Sequence, residues 1–153
     1  MKRLRNYLAL EVALLCVTLC VAGCASDGEV SGLDNQIRIN GVEYDIVEAT
    51  IFHTGEFRYV ALETAGLESL VFHIDQVSSQ IPRGRWTAMD DESLCEVSVS
   101  DDVYLETSDI ASVDVTISGT DGGTLTVTGS LSCESKDIDC AFGYTGAYQY
   151  IEN

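Results

Sequence analysis

The chain reads as all-β, an antiparallel β-sandwich of roughly 8–10 short strands, with a small closed or partly open β-barrel as the alternative. Three observations predict it. Ile37, Ile39, the dipeptide Asn40-Gly41, then Val42, Tyr44 and Ile46 alternate apolar and polar positions about a two-residue turn, the strongest short-range hairpin signal. Asp121-Gly122-Gly123 separates two Thr/Val runs, 113–117 and 124–128, whose β-branched residues suit a pleated sheet with one wet face. After residue 34 no segment carries a convincing 3.6-residue apolar period.

Taken in order, the hairpin's second arm continues through Val47 to His53, and Gly55 opens a strand from Phe57 to Leu62. Between Leu62 and Leu70 a single helical turn fits, before the strand Leu70 to Ile74. Gly84 to Thr87 follows the only proline, Pro82, so that segment is expected at a sheet edge or just after a corner. The remaining strands are expected at Leu94–Val99, Val103–Thr107, Val113–Ile117, Leu125–Cys133 and Cys140–Tyr150, each bounded by turn residues.

Residues 1–23 have a different character. Lys2, Arg3 and Arg5 precede an apolar core from Val12 to Ala22, and the core ends in Val21-Ala22-Gly23-Cys24. This arrangement resembles the bacterial lipobox, and the resemblance implies diacylglyceryl attachment to the Cys24 thiol, cleavage before Cys24 and acylation of the new amine. Glu11 interrupts the apolar run and leaves it short of the ~20 residues a spanning helix needs, so a removed signal is expected. Acyl chains then hold the protein at the membrane by about 0.8 kcal/mol per buried CH2. Residues 24–34 are small, polar and acidic, a flexible tether, and residues 35–153 are one domain.

An early Ile-Asn-Gly-Val-Glu-Tyr hairpin, a Pro-Arg-Gly-Arg-Trp segment and a last hairpin ending in Tyr144-Thr145-Gly146-Ala147-Tyr148 resemble small single-domain β-sandwich lipoproteins of Bacteroidetes, many of them uncharacterised. The resemblance implies fold and location only: a lipid-anchored protein of the outer membrane, on the cell surface or the periplasmic face. The acids that follow Cys24 loosely resemble the export signal for surface display in that group, and Ala25 is not the retention residue of the inner membrane.

The formal charge is −17 for the whole chain; residues 1–23 hold three of the eight basic and one of the 25 acidic residues, leaving five against 24, or −19. Such a field repels nucleic acid and favours basic partners. Of six cysteines, Cys95, Cys133 and Cys140 follow the anchor, in a compartment that permits disulfides. Strand parity puts Cys133 and Cys140 on one face, so a disulfide between them would close the mouth of a hairpin; a Cys95 pairing and three buried thiols are the alternatives.

No catalytic residues are expected. His53 and His73 have no Gly-x-Ser-x-Gly or other nucleophile motif beside them. The cysteines and histidines lack zinc-site spacing, and Asp90-Asp91-Glu92 with Asp101-Asp102 lacks the order of a calcium loop, so neither metal nor other cofactor is expected. Trp86 between Arg83 and Arg85 is the candidate ligand-binding group, because aromatic and arginine side chains dominate hot spots. Its competing role is core, shared with Tyr144, Tyr148 and Tyr150, which have one parity. The expected function is a membrane-anchored, non-enzymatic binding module for a glycan or protein. The alternatives are an acidic periplasmic inhibitor of a basic enzyme such as lysozyme, and a structural accessory of an envelope assembly. Replacement of Cys24 by Ala should leave an unprocessed precursor and abolish metabolic labelling by a fatty-acid analogue; equal labelling of both forms would place the lipid elsewhere.

Overall fold

Asn40 and Gly41 carry positive φ of 50° and 82°, the pair of left-handed conformations that a type I′ turn needs and that Asn-Gly supplies at least cost. They join β1 (Gln36–Ile39) to β2 (Val42–Thr54). Asn40 also holds the neighbouring turn. Its amide Nδ2 donates to the Asp137 carbonyl and its Oδ1 accepts from Asp139 N–H, both at 2.8 Å.

The computed structural model describes residues 32–153 except 67, 76, 91, 92, 101, 102, 107 and 111. Residues 1–31, with Cys24, the expected signal and most of the expected tether, lie outside the described residues, as do Asp91, Glu92, Asp101 and Asp102. The other elements are β3 (Phe57–Thr64), β4 (Ser69–Ile74), β5 (Gly84–Trp86), β6 (Leu94–Val99), β7 (Tyr104–Glu106), β8 (Ser112–Gly119), β9 (Thr124–Cys133), β10 (Ile138–Ala147) and β11 (Gln149–Glu152). The expected helical turn after Leu62 is strand instead: β3 runs on to Thr64, whose hydroxyl donates to the Glu68 carbonyl at 2.7 Å and closes the turn to β4. The stretch expected as one last strand breaks at Tyr148 into β10 and β11.

The strands form one strongly curled sheet, a half-barrel, in the order β5-β8-β9-β10-β1-β2-β3-β4-β6-β7, with β11 pairing β2 in parallel. β2 belongs to both halves. Val42 to Asp45 pair with β1, and from Ile46 onward the strand pairs with β3. The register shifts between Ile46 and Glu48, a bulge that bends the strand and leaves Val47 63% exposed. β1 starts just after Asn35, whose carbonyl accepts from Ile46 N–H at 2.8 Å and whose Oδ1 accepts from Thr145 N–H at 2.9 Å. Beyond that point β11 takes over the edge of β2 that β1 has left, from Thr50 to His53.

The core lies inside the curl. Leu125, Val127, Leu131 and Cys133 of β9 point inward, as do Cys140 and Phe142 of β10, all essentially without exposure. The half that holds β3, β4 and β6 answers with Val60, Leu62, Leu70, Phe72, Val97 and Val99. Phe142 meets Phe72 across the interior at a centroid distance of 5.2 Å, within the range of favourable aromatic pairs. Phe142 lies opposite Gly129 in the β9–β10 ladder. A Cβ at Gly129 would stand 2.1 Å from the Asp114 carbonyl oxygen and 2.9 Å from the Phe142 ring, so the glycine makes room for the ring and for close approach of β8.

Cys133 and Cys140 are free thiols, and the expected bridge between them is absent. The register explains it: Cys133 stands opposite Ile138 and Cys140 opposite Leu131, so the two are diagonal neighbours rather than a facing pair, beyond the best reach for an unstrained bridge. Burial, with the nearby Asp139 charge, pushes the Cys140 thiol up to about 12, so it stays protonated and inert.

Two measurements follow from this packing. Gly129→Ala should lower unfolding free energy by about 2 kcal/mol or more through overpacking, read from the urea midpoint; an unshifted midpoint would remove the glycine from its role. Iodoacetamide should spare Cys133 and Cys140 in the native protein and modify both in urea without reductant. Protection that persists in urea until reductant is added would instead mean a disulfide.

Candidate functional site

Each strand of the half containing β2, β3, β4 and β6 has an outward face, and the registers align these faces into rows. One row crosses five strands as Ile151, Phe52, Tyr59, His73 and Glu96. The next reads Gln149, Thr50, Ala61, Val71, Ser98 and Tyr104, and a third holds Glu48, Glu63 and Ser69. An outward row dominated by rings is unusual on a wet sheet face.

His73 is the centre of the first row. Its ring stacks on Tyr59 at 4.5 Å and takes the edge of Phe57 at 4.7 Å. Its Nε2 is buried and has no hydrogen-bond partner among the described residues, a cost that a buried polar group bears only where packing or function requires it. Tyr59 also lines a groove of about 580 Å³ beside β3. Phe52, Tyr59, Ala61, Glu63 and Glu68 are among the residues that line it. Ala61 is the small residue between Phe52, Tyr59 and Val71. A second groove, about 270 Å³, continues past His73 to Glu96 and Tyr104; Tyr104 is 57% exposed.

The sequence-derived candidates are placed otherwise. Arg85 bonds Asp114 in bidentate fashion at 2.9 and 2.7 Å, and these bonds hold the Asp114 carboxyl below its usual range. Arg83 is engaged by Asp121 Oδ1 at 2.7 Å and by the Gly119 carbonyl at 2.8 Å. Trp86 packs against the core over Gly84. Arg83 and Trp86 line one groove of about 350 Å³ with Ile74 and Asp75, whereas Arg85 reaches Asp114 on the neighbouring β8. The edge position expected for this segment is where β5 lies, at one end of the sheet.

Tyr144, Tyr148 and Tyr150 all pack on the core. Tyr150 and His53 clasp β11 to β2: the hydroxyl is 2.9 Å from His53 Nδ1, Glu152 Oε1 is 3.3 Å from the same nitrogen, and Nε2 faces the Gly55 carbonyl at 2.9 Å. A carbonyl only accepts, so Nε2 carries a proton there. Among the described residues no three His, Cys, Asp or Glu groups cluster as metal ligands.

The outward face of the other half has a different composition. Ser112 meets Ser132 at 2.7 Å, Thr126 meets Thr145 at 3.2 Å, and Gln36 donates to Asp45 at 2.9 Å. Its polar groups satisfy one another. Sequence reasoning passed over Phe52, Tyr59 and Tyr104, although Phe57-x-Tyr59 in β3 and the inward Ile51 beside Phe52 put aromatic residues on the outward parity. No family model, no curated protein and no solved structure matches this chain.

Proposed function

We propose that the protein is a lipid-anchored, non-enzymatic lipoprotein of the bacterial outer membrane whose β domain is a binding module for a glycan or protein ligand. The anchor rests on the basic leader, the apolar core and the lipobox-like Val21-Ala22-Gly23-Cys24. We read the domain as a β-sandwich in which the curl of one sheet supplies both layers, supported by the Phe72–Phe142 contact across the interior.

The observation that carries the binding reading is the outward aromatic row with the groove beside it. Rings on an open face lose hydrophobic stabilisation that they would gain in a core, and concave sites with a few polar groups are the usual ligand sites. The ligand meets ring faces of Phe52 and Tyr59 in one groove and the Tyr104 ring in the next.

The full chain in mild detergent, tested on a glycan array and against immobilised envelope and extracellular proteins, should bind a member of one class saturably. Phe52→Ala and Tyr104→Ala, each checked for native melting, should weaken that binding by about tenfold, or ~1.4 kcal/mol, where a hot-spot ring is lost. Saturable binding to neither class, or binding indifferent to both substitutions, would overturn the reading.

A further inference from the structure

The larger groove has a charge pattern that selects among ligands. Glu48 and Glu63 stand directly opposite each other on β2 and β3, and both face outward. Like charges in facing positions of an antiparallel pair destabilise the sheet. Glu48 accepts from the Gln149 amide, which leaves its charge in place. Glu68 adds a third carboxylate, folded back over Gly66, and lines the groove together with Glu63. No lysine or arginine is among the residues that line the groove, and among the described residues neither Glu63 nor Glu68 forms an ion pair.

The rest of the groove suits the stem of a long side chain. Phe52 and Tyr59 face each other across the ladder with the small Ala61 beside them. Apolar walls of this kind cover methylenes while the charged head stays outside, and the ring faces themselves attract a cation.

We propose that this groove takes a lysine or arginine side chain from a basic, extended segment of a partner protein, an inference that rests on the binding-module reading. The stem lies against the Phe52 and Tyr59 rings, and the cationic head meets Glu63 and Glu68, which line the groove, with Glu48 next to Glu63 in the ladder, so that it offsets their repulsion. The whole-chain charge of −17 brings such a segment in at long range. An anionic ligand meets the Glu63 and Glu68 carboxylates and no lysine or arginine among the lining residues. A neutral glycan finds the rings but leaves the facing Glu48 and Glu63 uncompensated.

Fluorescence anisotropy of the full chain in mild detergent, at near-physiological salt, tests this with labelled peptides rich in Arg and Lys, a matched Glu-rich peptide and a neutral β-linked glucan oligosaccharide. The basic peptides should bind saturably. Glu63→Gln combined with Glu68→Gln should weaken them roughly tenfold, whereas Glu134→Gln combined with Asp137→Asn, which removes the same charge from the β9–β10 turn, should not. Glu63→Gln alone should raise the melting temperature of the unliganded protein. Equal losses in both pairs would reduce the effect to bulk charge and overturn the proposal, and so would a lowered melting temperature for Glu63→Gln. Glucan binding without peptide binding would overturn this inference and keep the binding module; binding of neither probe, with no ligand from the wider screen, would overturn both.

Discussion

The bulge at Val47 is the constraint on which the architecture turns. β2 is a single strand of 13 residues that pairs with β1 at its start and with β3 along the rest. A regular strand would carry the sheet on in one sweep. One extra residue at the change of partner bends the strand and reverses its parity: Ile46 faces inward before it, Ala49 and Ile51 after it. The bend lets the two halves close on a shared core, and Phe142 reaches Phe72 only because they do. The same reversal turns Phe52 outward, so curl and aromatic row have a common origin.

Much of the strand pattern was legible because each run ended in turn residues whose chemistry is specific. Asn40-Gly41 and Asp121-Gly122-Gly123 mark hairpins that are present. What escaped was everything that depends on a parity break or on a partner far away in the chain. Cys95 shares the parity of Val97 and Val99, yet a register irregularity between Leu94 and Glu96 puts Leu94 in the core and leaves Cys95 half-buried, its Sγ 3.5 Å from the Ser93 carbonyl. The Cys133–Cys140 bridge failed for a related reason. Parity told which face each thiol takes, correctly, but not that they stand one pair apart in the ladder.

The site was harder to read than the fold. Trp86, Arg83 and Arg85 stood out because an aromatic between two cations is conspicuous in an acidic chain. Each of those arginines has an acidic partner about 30 to 40 residues away in sequence, Asp114 and Asp121, and local sequence holds no trace of either pairing. The outward row is the opposite case. Phe52, Tyr59, His73 and Glu96 come from four strands, and only the registers of three ladders bring them into line.

The contrast between the two outward faces bears on where the proposed ligand would act. On the half built from β8, β9, β10 and β1, hydroxyls and amides pair with each other, and Arg85 and Arg38 have acidic partners in Asp114 and Glu43, each at 2.7 Å. Exposed pairs of this sort add little stability, but they leave nothing for a ligand to complete. The other half keeps open rings, a buried histidine nitrogen without a partner among the described residues, and two glutamates set face to face. Each is an unfavourable local choice on its own. Their concentration on one face of one half of a single sheet, above a core that is otherwise consistently apolar, is the pattern expected where local stability has given way to recognition.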